Sequence, residues 1–171
     1  MNEGGIRVPM IVRWPGKIKA GAVSNLPWYF PDVMPTLAEL AGVSEEPPKD
    51  IDGISVVPTL LSKSTQEKHA YMYWDDSWYH NEGLRMGKWK AIRSNNKFKV
   101  DPNVEAHRGM WKGMEHESGK IRLYDLSKDL GEKKNLADKH PEVVAKIAEL
   151  MDKAWVKPRS QKDGGVYKGL N

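Results

Sequence analysis

The sequence predicts an α+β chain in two parts: a strand–helix piece, then a small antiparallel β-sheet closed by a C-terminal helix. Apolar residues recur at helical spacing from Val33 to Ala41, and again after Pro141. Between these stretches, from Tyr71 onward, the pattern changes to short β-rich runs broken by turn residues. Residues 1–66 form the first part and 67–171 the second.

Glu3-Gly4-Gly5 opens the chain, and a glycine pair implies a tight turn or a close backbone approach. The near-continuous apolar run 8–14 reads as a strand buried on both faces, stopped by Pro15-Gly16. Gly, Ser and Asn make 17–27 a loop. A helix follows, with Asp32 as its cap and Pro35 in the donor-free first turn. Val33, Met34, Leu37, Leu40 and Ala41 share one face, and Gly42 ends it. A polar loop over 44–50 leads to a short helical turn at 56–61.

In the second part, strands are expected at 71–74, from Leu84, at 89–93 after a Gly87-Lys88 turn, and at 121–124. The polar stretch 94–119 is an insertion or a long loop. The last helix starts at Pro141, and Val143, Val144, Ile147, Leu150, Met151 and Ala154 make one apolar stripe. The tail after Lys157 is expected to fray, and no internal repeat is visible.

Composition narrows the chemistry. Without cysteine there are no disulfides, no Cys-ligated metals and no thiol catalysis. The surplus of +4 is spread along the chain, with Lys133-Lys134 beside Glu132 and Asp138, which describes a mixed solvated surface. Neither nucleic acid nor a membrane is an expected partner; no apolar run is long enough to span a bilayer, and no signal peptide is visible. Tryptophan is the outlier, seven against two phenylalanines, and most of these rings are expected to pack partly buried.

Candidate catalytic groups are few. The five histidines, 69, 80, 107, 116 and 140, include no HxxxH pair and none beside a serine in a nucleophile elbow. His140 precedes Pro141 and reads as a helix entry. Asp75-Asp76 reads as a strand-end turn before a cation site, since Ca²⁺ needs six or more oxygens and no second cluster is near. Asp125 and Asp129 are likewise turn residues. The stretch 73–81 interleaves aromatic and polar residues. Trp74, Trp78 and His80 there either line the mouth of a sugar-binding site or belong to a half-buried loop over the sheet, and the residues alone favour the loop.

Several phrases in order carry a resemblance. Glu3-Gly4-Gly5-Ile6-Arg7-Val8-Pro9 followed by Trp14-Pro15-Gly16 resembles the EGGxRVPxIxxWPG signature of type I sulfatases of the alkaline phosphatase superfamily. Asp32 to Gly42 resembles the family's D-x-x-PT-L-x-x-LAG helix, and Asp52-Gly53-Ile54-Ser55 its DGxSL phrase, with Val56 where leucine is usual. Arg85-Met86-Gly87-Lys88-Trp89-Lys90 is similar to its R-x-G-x-WK strand pair. Leu123-Tyr124-Asp125-Leu126, Glu132, Asn135-Leu136-Ala137 and His140-Pro141-Glu142 are similar to its LYDL…NLA…HPE ending, with Leu130 in place of proline.

The resemblance implies that 1–66 are the end of an alkaline-phosphatase-like α/β catalytic domain and 67–171 its C-terminal subdomain. It implies a parent that hydrolyses sulfate esters, with formylglycine and Ca²⁺ in the N-terminal part and none in this chain. No catalytic or metal residue of the family maps here: cysteine is absent and no serine stands in S-x-P-x-R. The chain is expected to be inactive alone, its partners the N-terminal catalytic half and, in the whole enzyme, a sulfated small molecule or glycan held partly by Trp74, Trp78 and His80. Only Met1 and Asn2 stand before the EGG phrase, and Met1 is expected to mark an artificial or gene boundary rather than a natural fold boundary. The apolar 8–14 strand would then have an edge open to self-association. Family analogy places such enzymes in the periplasm or outside the cell. A phosphate or phosphonate esterase of the superfamily and a stand-alone binding module for sulfated glycans are the alternatives.

Overall fold

The computed structural model describes residues 1–43, 51–62, 65–76, 81–94 and 119–154. The chain divides into two compact units: Met1–Arg7 with Tyr73–Asn171, and Val8–Met72.

In the first unit, a one-turn helix α1 (Glu3–Ile6) precedes the sheet in sequence. Strands β1 (Met72–Asp76), β2 (Asn81–Met86), β3 (Trp89–Ser94) and β4 (Ile121–Asp125) form one four-stranded sheet in the order of the chain. β2 and β3 are an antiparallel hairpin in which Met86 faces Trp89; Gly87 takes the left-handed φ of 58° that the tight turn needs. β4 runs antiparallel to β3, with Lys90 opposite Tyr124 and Ile92 opposite Arg122. The four strands expected in this part are all present: β3 and β4 each run one residue further, β1 is shifted toward Asp76, and β2 starts three residues before Leu84.

Helix α4 (Pro141–Ala154) begins at the expected proline and packs on β2 and β4. His140 enters it as expected, its carbonyl accepting the N–H groups of Val143 and Val144. Arg93 reaches Asp152 of α4, so the sheet face carrying Trp89, Ala91 and Arg93 is the one α4 covers. Leu84 and Leu123, opposite Ala91, are fully buried on that face, as are Ile147 and Met151 of the helix stripe. Each such Leu or Ile contributes about 1.5–3 kcal/mol by leaving water. The opposite face carries Arg85, Lys90, Ile92 and Tyr124. Gly83 lies on it without a side chain, and Met1 fills that space: a Cβ there would stand 3.4 Å from Met1 Cβ.

The second unit holds a one-turn 3₁₀ helix Phe30–Asp32, helix α2 (Val33–Leu40) and the short α3 (Val57–Leu60). Gly42, with φ 69°, stops α2 as expected. Three expectations fail here. The run 8–14 is not a strand: among the described residues no hydrogen bond engages the backbone of 8–13, and its side chains are exposed, Val8 by 78% and Ile11 by 93%. A strand exists only through a neighbouring ladder, and a β-rich sequence without one stays irregular. The apolar stripe of α2 is not its buried face either; Pro35 and Thr36 are buried while Met34 and Leu37 are exposed. Third, Asp32 does not cap α2 with its side chain. The glycine-pair expectation is corrected too, since Gly4 and Gly5 lie in the α1 turn with open space around them. The close approach is at Gly53, where a Cβ would fall 2.0 Å from the carbonyl oxygen of Pro31.

Candidate functional site

Two groups of buried polar residues stand out, one in each unit. In the first unit, Lys90 on β3 has no exposed surface. Its ammonium donates to Glu3 Oε1 at 2.9 Å, lies 3.9 Å from Glu132 Oε1, and sits 5.2 Å from the centre of the Trp74 ring. Arg85 approaches Glu3 Oε2 at 3.9 Å, so two cations balance two carboxylates. Burying a lone ammonium is prohibitive, and the carboxylates are what allow Lys90 to point inward. Glu132 Oε2 also accepts the Glu3 backbone N–H at 2.9 Å, tying α1 to the loop after β4. Glu132 is therefore not a surface partner of Lys133-Lys134, whose backbone N–H groups both go to Asp129.

That loop explains the LYDL…NLA phrase physically. Asp125 accepts from the Ser127 hydroxyl and backbone and from Lys88; the Ser127 hydroxyl first, and the other donors with it, hold its carboxyl below the usual range. Asp129 is lowered similarly by the Lys134 and Lys133 N–H groups. Glu132 takes a left-handed backbone, φ 51°, to turn its side chain inward. Asn135 Oδ1 then accepts from Leu123 N and Ala137 N, returning the chain to β4. Asp125 and Asp129 are turn residues, as expected.

In the second unit Asp32 is fully buried, and its carboxylate receives three donors. Tyr29 N–H lies at 3.0 Å, Ile54 N–H at 2.9 Å and His69 Nε2 at 2.7 Å. Thr36 donates its hydroxyl to the Asp32 carbonyl and accepts from Val56 N–H. The D-x-x-PT and DGxS phrases thus interlock with Gly53 pressed under Pro31. Tyr29 meets the His69 ring edge-on at 5.0 Å, and burial first, then Asp52, Asp32 and Tyr71, push its hydroxyl up to about 12. A carboxylate-oriented imidazole is half of a general-base arrangement, but both oxygens of Asp32 are occupied and His69 is nine-tenths buried. Its geometry is that of a cross-link.

Of the expected rim residues, Trp74 lies half-buried on β1 beside Lys90; Trp78 and His80 lie outside the described residues. Asp75, at the end of β1, is exposed. Among the described residues, no three His, Asp or Glu side chains are grouped to hold a metal. Glu3 and Glu132 already surround an ammonium and the oxygens of Asp32 are committed, so these residues do not fit Ca²⁺. Nor does the sequence hold a formylglycine precursor. The buried pairing of Glu3, Lys90 and Glu132 is the feature sequence reading missed; residues so far apart in the chain share no spacing signal.

Comparison with known proteins adds to this geometry. Residues 1–159 match the family model described as N-sulphoglucosamine sulphohydrolase, C-terminal. Mouse (Mus musculus) steryl-sulfatase is 30% identical over 162 residues, covering 88% of this chain and 25% of its own. An N-acetylgalactosamine-6-O-sulfatase of Bacteroides thetaiotaomicron is 32% identical over 154 residues, covering 88% of this chain and 27% of its own. A solved structure tied to the metabolism of multiple glycosaminoglycans by Bacteroides thetaiotaomicron superposes with a TM-score of 0.67 at 30% identity, covering 88% of this chain and 29% of that one. The chain spans between a quarter and three-tenths of the length of these proteins. No helix among the described residues is long and apolar enough to cross a membrane.

Proposed function

This chain belongs to the sulfatases, as a C-terminal domain of the N-sulphoglucosamine sulphohydrolase type, and from that premise we propose that it completes a sulfate-ester hydrolase without carrying the catalytic chemistry itself. The observation behind this reading is the family match over 1–159 in a chain without a formylglycine precursor or a place for calcium among its described residues. Formylglycine and Ca²⁺ belong, on this reading, to the N-terminal part of the parent enzyme. The apolar surface of the second unit supports the same division: the 8–14 run, Phe30, Met34 and Leu37 are exposed, more than a monomer usually leaves in water. The N-terminal catalytic part covers it in the whole enzyme; in its absence this surface drives self-association.

Trp74, Trp78 and His80 form part of the rim that holds a sulfated sugar or aryl sulfate. Aromatic faces bind sugar rings by apolar contact without touching the reacting sulfur, so they act on binding more than on turnover. In the parent enzyme, His80→Ala and Trp78→Ala are expected to raise KM about tenfold and leave kcat within about twofold. An unchanged KM in both variants would remove the rim assignment. The N-acetylgalactosamine-6-O-sulfatase relative, and the matched structure tied to glycosaminoglycan metabolism, support a sulfated glycan as the substrate class.

A further inference from the structure

We propose that Lys90 is a shared cation, paired with Glu3 in the state described and able to transfer to Glu132, so that α1 is a latch that opens without stranding a buried charge. This does not depend on the sulfatase reading.

The observation that carries it is Glu132 Oε1, which is buried and has no hydrogen-bond partner among the described residues. Buried carboxylate oxygens are rarely left so, because an unmade bond keeps the full cost of desolvation. The nearest ammonium is Lys90, at 3.9 Å. A shift of about 1 Å brings the two to hydrogen-bond distance, well within the reach of a four-carbon side chain. The orphan oxygen is the vacant second seat for that ammonium.

The other seat is easily left. α1 is four residues long and two are glycine, the poorest helix formers after proline. Nothing lies within 4 Å of where a Cβ on Gly4 or Gly5 would be, so packing at those positions does not hold the turn. Its polar ties run through Glu3, with its N–H on Glu132 Oε2 and its carboxylate on Lys90 and, more distantly, Arg85, while Met1 packs at Gly83 two residues before. When Glu3 leaves, Lys90 would be buried and unpaired without Glu132; with Glu132 it exchanges one carboxylate for another. The two positions of one ammonium make a two-state element of the kind that conformational switches use.

The test is amide exchange, measured on the full chain. In Glu3→Gln, exchange at Gly5, Ile6 and Arg7, whose N–H groups close the turn onto Asn2 and Glu3, is expected to accelerate about tenfold or more while β3 amides keep their wild-type rates. A crystal structure of that variant should place Lys90 Nζ within hydrogen-bond distance of Glu132 Oε1. Glu3→Gln/Glu132→Gln removes both seats, and its unfolding constant should rise about tenfold beyond the product of the single effects. Failure of the double variant to fold beside two folded single variants is the same coupling at its limit. Unchanged exchange in the turn, Lys90 remaining away from Glu132 Oε1, or additive effects in the double variant would each overturn the proposal.

Discussion

Lys90 Nζ and Glu3 Oε1 lie 2.9 Å apart across 87 positions of sequence, both side chains buried on the sheet face opposite α4. Because the ammonium is the counter-charge to two buried carboxylates, Lys90→Met leaves both without their nearest cation. A loss of about 3–5 kcal/mol in unfolding free energy is expected, read by denaturant titration. A loss under about 1 kcal/mol would mean that water reaches the cluster.

Gly53 and Gly42 separate two reasons for a glycine. Ala at 53 drives a Cβ to 2.0 Å from the Pro31 carbonyl oxygen, so the backbone must part, costing at least the roughly 1–3 kcal/mol of ordinary overpacking. Ala at 42 meets nothing within 4 Å and bears only its left-handed φ of 69°, about 1–2 kcal/mol. Thermal unfolding of the two variants should rank them in that order.

Tyr29 makes the second unit sensitive to alkali. Its hydroxyl, 10.0 when free and pushed up to about 12 by burial, Asp52, Asp32 and Tyr71, favours the neutral phenol in the folded state. A pKa raised on folding means the contribution is whole below pH 10 and is lost as pH climbs through 12. The wild type should lose stability across that window, and Tyr29→Phe should flatten the loss. Parallel curves would show that Tyr29 is not the group responsible.

These residues also show what sequence can disclose. β2, β3, β4 and α4 were legible because their signals are local: alternation, a Gly turn, a proline before an apolar stripe. The run 8–14 has the composition of a strand without being one, because a strand is a relation between segments and composition alone does not supply the partner. Met34 and Leu37 misled for the same reason: a stripe says that a face wants cover, not that cover is at hand. Asp32 stands at the start of α2, as its place in the sequence predicts, yet its carboxylate works backward and across, to Tyr29, Ile54 and His69. The motif phrases were legible as a resemblance before their physics was: the structure shows Asp32, Gly53, Asp125 and Asn135 as fold-locking residues.

On the proposed reading, this chain belongs to a sulfatase without holding its reaction centre. The most direct measurement is sulfate release from an aryl sulfate by the purified chain, with and without added Ca²⁺, beside the parent enzyme containing it. Turnover is expected from the parent and none from the chain under either condition. Sustained turnover that co-purifies with the chain and survives removal of contaminating enzyme would contradict it.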